Sequence, residues 1–332
     1  MPPLISVVVA NWNGCRFLEK CLSALAAQTY PAVEVIVVDN GSSDGSLAWI
    51  AVHFPAVQVV ANASNLGFAV ANNQGIAAAR GAFVALLNND AWADPDWLAN
   101  LYAAIEPDAR IGMVASLMLL AARPEVVDSA GICVDRCGIS WDRAGGQSAA
   151  EWSMGPAEVF GACAGAALYR REMLDELGGF DEDFFAYLED VDLAWRARWL
   201  GWRASYAPAA RVYHIHSGTG GEGSAFKTYW LARNKIQLLL KDYPARGLWL
   251  FAPLIVLYDS LSLVSSVLAQ RNLSAWRGRL DGWRRAGSAL RKRRLLQAQA
   301  RRPAAEVAGW LAPAAAPWTV ARRYQHLNQP RE

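Results

Sequence analysis

The chain has 332 residues, a length that fits one large α/β domain with an appendage better than two equal domains. Its net charge of +2 is close to neutral, and no nucleic-acid partner is expected. The five cysteines form no Cys-x-x-Cys pair, which argues against a zinc site and favours reduced thiols. The N-terminal segment lacks a basic stretch before a long apolar core, so a signal peptide is not predicted.

Apolar runs alternate with helical patterns through the first half of the chain. The runs predict buried strands at Ile5–Asn11, Val33–Asp39, Val57–Asn62, Phe83–Asn88 and Ile111–Leu119. Helices are predicted between them at Arg16–Gln28, after the turn NGSSDGS, at Gly67–Arg80 and after Pro95. Strands separated by helices of this length imply right-handed βαβ crossovers and therefore an α/β fold with a mostly parallel sheet.

The second half begins with a weaker pattern from residue 124 to residue 156, where the segments GICVD and GISWD predict a hairpin. The segment GACAGAALYRREMLDELGG then predicts a strand and a short helix. Two longer helices follow, one over EDVDLAWRARWLGW that ends near Gly201 and one over TYWLARNKIQLLLKDYP that ends before Pro244.

The C-terminal region is apolar first and basic afterwards. Gly247–Ala269 is close to the roughly 20 residues that span a bilayer, but it contains Pro253 and Asp259, and a central charge is costly there. From Arg271 to Arg302 there are eleven Lys and Arg against a single acid. This pattern predicts helices that lie in the interface of an anionic membrane, with a true span or a contact between copies of the chain as open alternatives.

Small polar residues follow four of the predicted strands, at Asn11–Gly14, Asp39–Gly41, Asn62–Gly67 and Asn88–Asp90. Turns favour such residues anyway, but a parallel sheet binds ligands at the carboxyl ends of its strands, and four such ends on one edge predict a site. Neither GxGxxG nor a P-loop is present, so a bound diphosphate would need a cation or basic side chains. Asp90 is the predicted anchor for Mg²⁺ or Mn²⁺.

A second acidic group lies in the segment EDVD, which begins one of the predicted helices. Carboxylates in a first turn complement the helix dipole, and Asp192 can pair with Arg196 four residues later. Glu189 and Asp190 point about 100° apart on a helix, so one of them can face a site while the other anchors the turn. A single carboxylate in that position suits general-base catalysis.

The segment RVYHIHSGTGGEGS contains the remaining titratable candidates. His214 and His216 lie on the same side if the segment is a strand, and the glycine-rich loop after them could close over a bound ligand. His53 and His326 have no such context and are interpreted as incidental.

Five segments, taken in order, resemble family 2 glycosyltransferases with the GT-A fold, particularly the bacterial rhamnosyltransferase-like branch. They are ISVVVANWNG, VEVIVVDNGSSDGS, NLGFAVANNQGIAAARGAFVALLNND, LGGFDEDFFAYLEDVDLAWRARWLGWRASYAPAARVYHIH and YWLARNK. The resemblance implies a Rossmann-like GT-A domain at residues 1–243, with a donor half at about 1–120 and an acceptor half at about 121–243. Residues 244–332 would form a helical, membrane-associating appendage.

The resemblance also implies a reaction and roles for individual residues. The reaction is an inverting transfer of a sugar from a nucleoside diphosphate to a hydroxyl, with Asp190 as the catalytic base and Glu189 beside it. Asp90 and His214 would bind Mg²⁺ or Mn²⁺, and Asn234 would approach the diphosphate or the acceptor together with its neighbour. The implied donor-binding residues are Asn11, Asn13, Asp39, Asn65, Gly67, Asn89 and Arg233.

Two positions depart from the common family pattern. Asn88 stands where relatives often carry an acid, which lowers the negative charge of the site and leaves strict metal dependence open. Trp12 replaces the usual Tyr and can still present an aromatic face to a base.

Sugar-nucleotide pyrophosphorylases carry a Gly-rich loop with Arg and Lys that NWNGCRF does not supply. A non-catalytic glycan-assembly or sugar-binding protein of the same fold is the remaining alternative.

The implied partners follow from the same resemblance. The donor would be linked to dTDP or UDP, with rhamnose as the first candidate sugar, and the acceptor would be a glycan or a polyprenyl-linked saccharide. The apolar and basic C-terminal region predicts a cytoplasmic protein, peripheral on the inner face of the cell membrane, and leaves a homo-oligomer open.

Overall fold

The computed structural model describes residues 2–152, 154, 158–216, 224–268, 272–316 and 318–319. Its strands are β1 (Ile5–Asn11), β2 (Val33–Asp39), β3 (Gln58–Ala61), β4 (Phe83–Leu87), β5 (Ala91–Ala93), β6 (Ile111–Leu120), β7 (Arg123–Ser129), β8 (Ile132–Val134), β9 (Ser140–Asp142), β10 (Glu158–Val159), β11 (Ala166–Arg170) and β12 (Arg203–His214). Its helices are α1 (Cys15–Ala26), α2 (Ser46–His53), α3 (Phe68–Ala78), α4 (Trp97–Ile105), α5 (Ala149–Trp152), α6 (Arg171–Leu177), α7 (Glu189–Leu200), α8 (Ala225–Lys241), α9 (Ala245–Leu268), α10 (Ser274–Arg284), α11 (Ala286–Gln299) and α12 (Ala304–Ala308).

The main sheet has the strand order β10-β12-β6-β11-β4-β1-β2-β3, with β5 paired to β12 and β7 paired to β6. β1 is parallel to β2 and β4, and β2 is parallel to β3. β11 is antiparallel to both β4 and β6, so β6 runs in the direction of β4, and β12 is parallel to β6. The carboxyl ends of β1, β2, β4 and β12 therefore meet at the same edge of the sheet.

β1 is mostly apolar because both of its faces are covered by helices. Val8 belongs to the buried cluster that includes residues of α3 and α7 on one face of the sheet. Val7 and Val9 belong to the cluster on the other face, together with Leu18 of α1 and Trp97 of α4. Successive side chains of a strand point to opposite faces, so the apolar residues of this one strand contribute to two cores.

Most predicted elements are present, with small shifts at their ends. β1 and β2 have the predicted bounds, the helix predicted after Pro95 begins at Trp97, and the predicted hairpin is formed by β8 and β9. β5 was not predicted, because its three residues have no pattern of their own and are held by pairing with β12. The mostly parallel α/β sheet is confirmed.

The C-terminal helices share a core with the sheet region. Leu296 of α11, Val307 of α12 and Leu311 beyond it lie in the same buried cluster as strands of the main sheet. By length and composition alone, α9 is long and apolar enough to cross a membrane. The boundary predicted after residue 243 stays a prediction.

Candidate active site

A chain of side-chain hydrogen bonds joins the ends of three neighbouring strands. Asn89, which follows β4, donates through Nδ2 to Oδ1 of Asn11 at the end of β1, at 2.8 Å. Asn11 donates through Nδ2 to Oδ1 of Asp39 at the end of β2, at 2.9 Å. All three residues are buried, and Asp39 is 0% exposed. The structure therefore brings these three predicted donor-binding residues together just below the surface of the sheet edge.

Asn13 and Trp12 lie nearer to solvent at the same edge. Oδ1 of Asn13 accepts from the backbone N–H of Ser43, and the backbone N–H of Asn13 donates to Oγ of Ser42, both at 2.8 Å. These bonds join the turn after β1 to the turn after β2. Trp12 is 42% exposed, so its ring is open to a ligand.

Asn65 and Gly67 precede α3, and Gly67 approaches the turn that leads into α7. Oδ1 of Asn65 accepts from the backbone N–H of Gly67 at 2.9 Å. Gly67 has a φ of 92°, and a Cβ at this position would lie 2.6 Å from the ring of Phe185. The backbone N–H of Phe68 donates to the carbonyl oxygen of Phe185 at 2.6 Å. Glycine is therefore required here both for its conformation and for the close approach.

Asp90 and His214 meet where the ends of β4 and β12 come together. Nε2 of His214 lies 3.2 Å from Oδ1 of Asp90. On the side of His214 away from Asp90, the carboxylate of Asp128 on β7 contacts two imidazole rings. Its Oδ2 lies 2.6 Å from Nδ1 of His214, and its Oδ1 lies 2.8 Å from Nδ1 of His216. The ligand atoms that Asp128, His214 and His216 could offer to a metal ion lie within 4.8 Å of one another.

The electrostatics of this group favour a positive charge between its carboxylates. Burial disfavours a charged imidazole, but the hydrogen bonds of His214 with Asp128 and Asp90 raise its pKa to about 10. Burial also disfavours a charged carboxylate, yet the two imidazoles hold the pKa of Asp128 well below its usual range. A divalent cation could replace the proton on Nε2 of His214 and satisfy the same negative charge.

The arrangement fits a divalent cation. Neighbouring ligands about 2.1–2.2 Å from an octahedral ion are separated by about 3 Å, and Oδ1 of Asp90 lies 3.2 Å from Nε2 of His214. The carboxylate on Nδ1 of His214 is the usual partner of a metal-binding histidine. A set with one imidazole suits Mn²⁺ better than Mg²⁺, which prefers oxygen ligands.

Asp190 and Glu189 begin α7 and have different surroundings. Asp190 is half-buried, and its Oδ2 accepts from the backbone N–H of Ala164 at 3.1 Å and its Oδ1 from that of Val191 at 2.8 Å. Burial raises the pKa of Asp190, although these backbone donors oppose the change. Glu189 is buried, and burial together with the charge of Asp190 raises its pKa to about 8. Both effects favour the neutral form of Glu189. Asp192 pairs with Arg196 as predicted, at 2.7 Å.

One short backbone segment connects Asp190 with the turn that carries Asp90. The carbonyl oxygen of Gly165 accepts from the backbone N–H of Asn88 at 2.9 Å. The preceding residue, Ala164, is the one that donates to Asp190. The adjacent residues Ala164 and Gly165 therefore bond to the candidate base and to the turn that carries Asp90.

The turn before α7 is strained and is held by one buried amide. Phe185, Tyr187 and Leu188 have φ angles of 61°, 67° and 68°, a region that non-glycine residues rarely adopt. Asn234 of α8 is 0% exposed. Its Nδ2 donates, at 2.9, 2.9 and 2.7 Å, to the carbonyl oxygens of Phe184, Ala186 and Tyr187.

Arg233 also stabilises the turn before α7. Its Nη1 donates at 2.6 Å to the carbonyl oxygen of Asp183 and to Oδ1 of Asn234. It is 2% exposed, so contact with a bound donor would require this turn to open. The predicted roles of Arg233 and Asn234 in binding the donor or the acceptor stay predictions.

Sequence reasoning missed two carboxylates of the site. Asp128 lies in the weakly patterned stretch, and the mixed sequence of its strand, RPEVVDS, gives no signal that marks the acid. Asp142 lies on β9, where burial and then the charges of Asp128 and Asp190 raise its pKa to about 6. His326 and the glycine-rich loop at 217–223 lie outside the described residues.

Comparison with known proteins gives one family. Residues 6–178 match the family model described as Glycosyl transferase family 2. Over 313 residues the chain is 28% identical to N-acetylglucosaminyl-diphospho-decaprenol L-rhamnosyltransferase of Mycobacterium tuberculosis, and the alignment covers 84% of this chain and 97% of that protein.

Solved structures of similar fold include a mannosyltransferase. Mannosyltransferase PcManGT from Pyrobaculum calidifontis, in complex with GDP-Man and Mn²⁺, matches with a TM-score of 0.53 at 21% identity, over 93% of this chain and 88% of that one. S. aureus TarS 1-349 matches with a TM-score of 0.55 at 19% identity, over 99% of this chain and 93% of that one. The GT-A fold expected from the sequence is confirmed.

Proposed function

The chain belongs to glycosyl transferase family 2 and is a glycosyltransferase, and from that premise we propose that it transfers a sugar, with inversion, from a nucleoside diphosphate to a hydroxyl of a glycan acceptor. The observation that carries the proposal is the arrangement at the sheet edge, where the amides of Asn11 and Asn89, the Asp90–His214 pair and the Asp190 carboxylate adjoin. Rhamnose is the first sugar to test, because the mycobacterial relative is described as an L-rhamnosyltransferase.

We assign the nucleotide of the donor, dTDP or UDP, to the turns after β1 and β2. The exposed ring of Trp12 offers a face on which a base can stack. Asp39 accepts from Asn11 and from the backbone N–H of Ser42. A base therefore reaches the Asp39 carboxylate only if the Ser42 turn shifts slightly. Asn65 and Gly67 border the same edge and complete the proposed donor site.

Asp90 and His214 are the residues that we propose to hold Mn²⁺ or Mg²⁺. When bound, such an ion offsets the charge that develops on the departing diphosphate. The solved structure of PcManGT contains Mn²⁺, which supports testing that ion first. Only one carboxylate of the NND turn is available, so we expect binding of the cation to be strengthened by the phosphates of the donor.

Asp190 is the proposed general base. The acceptor oxygen forms a bond to the anomeric carbon from the face opposite the leaving group, while the bond from that carbon to the diphosphate oxygen breaks. The hydroxyl proton passes to the Asp190 carboxylate, and the nucleoside diphosphate leaves. The raised pKa of Asp190 makes it a better proton acceptor than an ordinary aspartate. Burial favours the neutral form of Glu189 beside it.

The acceptor that we favour is a lipid-linked or cell-surface glycan, and the location is the cytoplasmic face of the cell membrane. The name of the mycobacterial relative describes a saccharide on a decaprenyl diphosphate, which supports an acceptor of this class. The apolar helix α9 and the basic residues after it support a peripheral position on a membrane.

The test of the catalytic assignment is Asp190→Asn, which preserves the shape of the side chain and removes its basicity. We expect turnover to fall by at least ~10² because general-base catalysis is lost. Donor binding, measured by thermal shift with and without Mn²⁺, should stay close to wild type. Asp175→Asn, at an exposed position on α6, is the matched control. Turnover of Asp190→Asn near that of the control would exclude Asp190 as the base.

A further inference from the structure

The outward face of α9 is apolar and uncovered by the rest of the chain that the structure describes. Trp249, Val256, Leu257, Val264 and Leu268 are between 52% and 81% exposed. The helix has 24 residues, which corresponds to about 36 Å at 1.5 Å per residue. A continuous apolar face of this length marks an interaction surface, since monomeric proteins rarely expose one.

The single acid within this apolar helix is turned inward. The carboxylate of Asp259 accepts from Arg279 of α10 at 2.7 and 3.0 Å and lies 3.5 Å from Nζ of Lys235 on α8. Ile255, one turn earlier, lies on the same inward side and is 7% exposed. The charge that makes a membrane span costly is therefore paired with basic residues of the protein. From Gly247 to Leu268 no other residue of α9 is charged.

α10 presents a second apolar stripe with basic residues beside it. Trp276, Leu280 and Trp283 share one face of the helix and are 53%, 36% and 61% exposed. Its opposite face, which contains Gly278 and Gly282, packs on α8. The exposed arginines of α10 and α11 include Arg277, Arg284, Arg291 and Arg294.

We propose that α9 and α10 form a lipid-docking surface that inserts the outward face of α9 and the tryptophan stripe of α10 into the headgroup region of an anionic bilayer. Tryptophan is enriched at that depth, and exposed arginines attract anionic headgroups. A basic helix with Trp and Leu on its other face is typical of helices that lie in the interface. A span is disfavoured because α9 would have to separate from Arg279 and Lys235.

A second copy of the chain is the less favourable occupant of this surface. In a symmetric dimer the same patch of each copy meets the other. Pairing through α10 would therefore bring the exposed arginines of two copies together, and like charges across an interface are destabilising. An anionic bilayer is complementary to the same arginines.

The inference rests on the proposed function in one respect, since a lipid-linked acceptor gives the surface its purpose. α8 connects the lipid-docking surface with the proposed active site. Its residue Asn234 holds the turn before Asp190, and another side of the helix packs against α10. Docking through α9 and α10 would hold the catalytic carboxylate near the plane in which such an acceptor is anchored.

The experiment is co-sedimentation of the full-length protein with phosphatidylcholine vesicles that contain or lack phosphatidylglycerol. We expect binding to the anionic vesicles, weakened by added salt because exposed charges are screened. The double variant Trp276→Ala/Trp283→Ala should lower the partition coefficient at least ~10-fold, since two exposed aromatic contacts with lipid are removed. Leu257→Asp/Val264→Asp, at exposed positions on α9, should have an equal or larger effect.

Trp318→Ala is the matched control, because Trp318 is 58% exposed and lies outside α9 and α10. Absence of binding to anionic vesicles, or wild-type binding by the double tryptophan variant, would overturn the proposal. A dimer in solution that Leu257→Asp/Val264→Asp dissociates would assign the surface to a second copy instead. Protein retained by vesicles after alkaline carbonate washing would indicate a span.

Turnover with a soluble acceptor is measured on the same variants. Wild-type turnover with lost vesicle binding supports the docking surface, since the variants then remain folded and active. Vesicle binding by a wild-type protein without transferase activity would refute the proposed reaction and leave the surface intact. The two proposals can therefore fail separately.

Discussion

At the residue scale, Asp128 contacts two imidazoles with one carboxylate, through Oδ2 to His214 and Oδ1 to His216. The bond to Nδ1 fixes the ring of His214 so that Nε2 faces Asp90. Asp128 also keeps negative charge next to the ring. We therefore interpret Asp128 as a positioning residue that orients His214 for the proposed cation.

Asp128→Asn removes this charge and keeps the shape of the side chain. We expect affinity for Mn²⁺, measured by electron paramagnetic resonance of the free ion with UDP present, to fall by roughly 10–100-fold. The matched control is Glu125→Gln, at an exposed position on the same strand. Unchanged Mn²⁺ affinity in Asp128→Asn would contradict the positioning role, whatever happened to turnover.

At the scale of elements, α8 determines the conformation of the turn that precedes α7. Three residues of that turn adopt positive φ angles, each at a cost of order 1–3 kcal/mol. The amide of Asn234 offsets this cost by donating to three carbonyl oxygens that the turn leaves inside the protein. The first residues of α7, including Asp190, follow directly, so α8 controls where the proposed catalytic carboxylate points.

Asn234→Asp tests this control with an isosteric change that removes the donor. We expect kcat to fall by about 10-fold or more, with the donor KM changed much less, because the base is misplaced while Asn234 makes no bond to the turns after β1 and β2 that would hold the nucleotide. Gln237→Glu is the control, since Gln237 lies on the same helix and donates to the carbonyl oxygen of Gly282 instead. That variant should lose stability and keep its kcat. A fall in stability alone for Asn234→Asp would refute the positioning role.

At the scale of the whole molecule, the C-terminal helices are joined to the catalytic region by close packing rather than by a linker. A Cβ at Gly278 of α10 would lie against the carbonyl oxygen of Tyr229 on α8, closer than van der Waals contact allows. A Cβ at Gly282 would lie 3.0 Å from the carbonyl oxygen of Arg233. The two helix backbones therefore approach each other directly beside the residues that support the active-site turn.

Gly278→Ala should lower the free energy of unfolding by about 1–3 kcal/mol, because α10 must move away from α8. Gly287→Ala on α11 is the control, since a Cβ there meets nothing within 4 Å. Alanine favours a helix, so the control should gain up to about 1 kcal/mol. Urea denaturation measures both variants. A gain in stability for Gly278→Ala would show that the helices are not closely packed.

The sequence by itself determined the strands and helices of the first half of the chain, except β5, and the edge of the sheet that is proposed to carry the site. Local periodicity is enough for this, since an apolar run such as Ile5–Asn11 reports burial on both faces and the polar residues after it mark the carboxyl end. The order of the motifs identified the family, and the family model and the solved folds confirmed it.

Only the tertiary structure decided which side chains meet, because those contacts join residues that are distant in the chain and have no shared period. Asp128 and His214 are separated by 86 positions, and Asp259 and Arg279 by 20. In the sequence Asp259 was an unpaired charge in an apolar segment, and in the fold it is paired against α10, which leaves the outward face of α9 neutral. Pairing and burial set the free energy of such groups, and neither can be derived from local sequence.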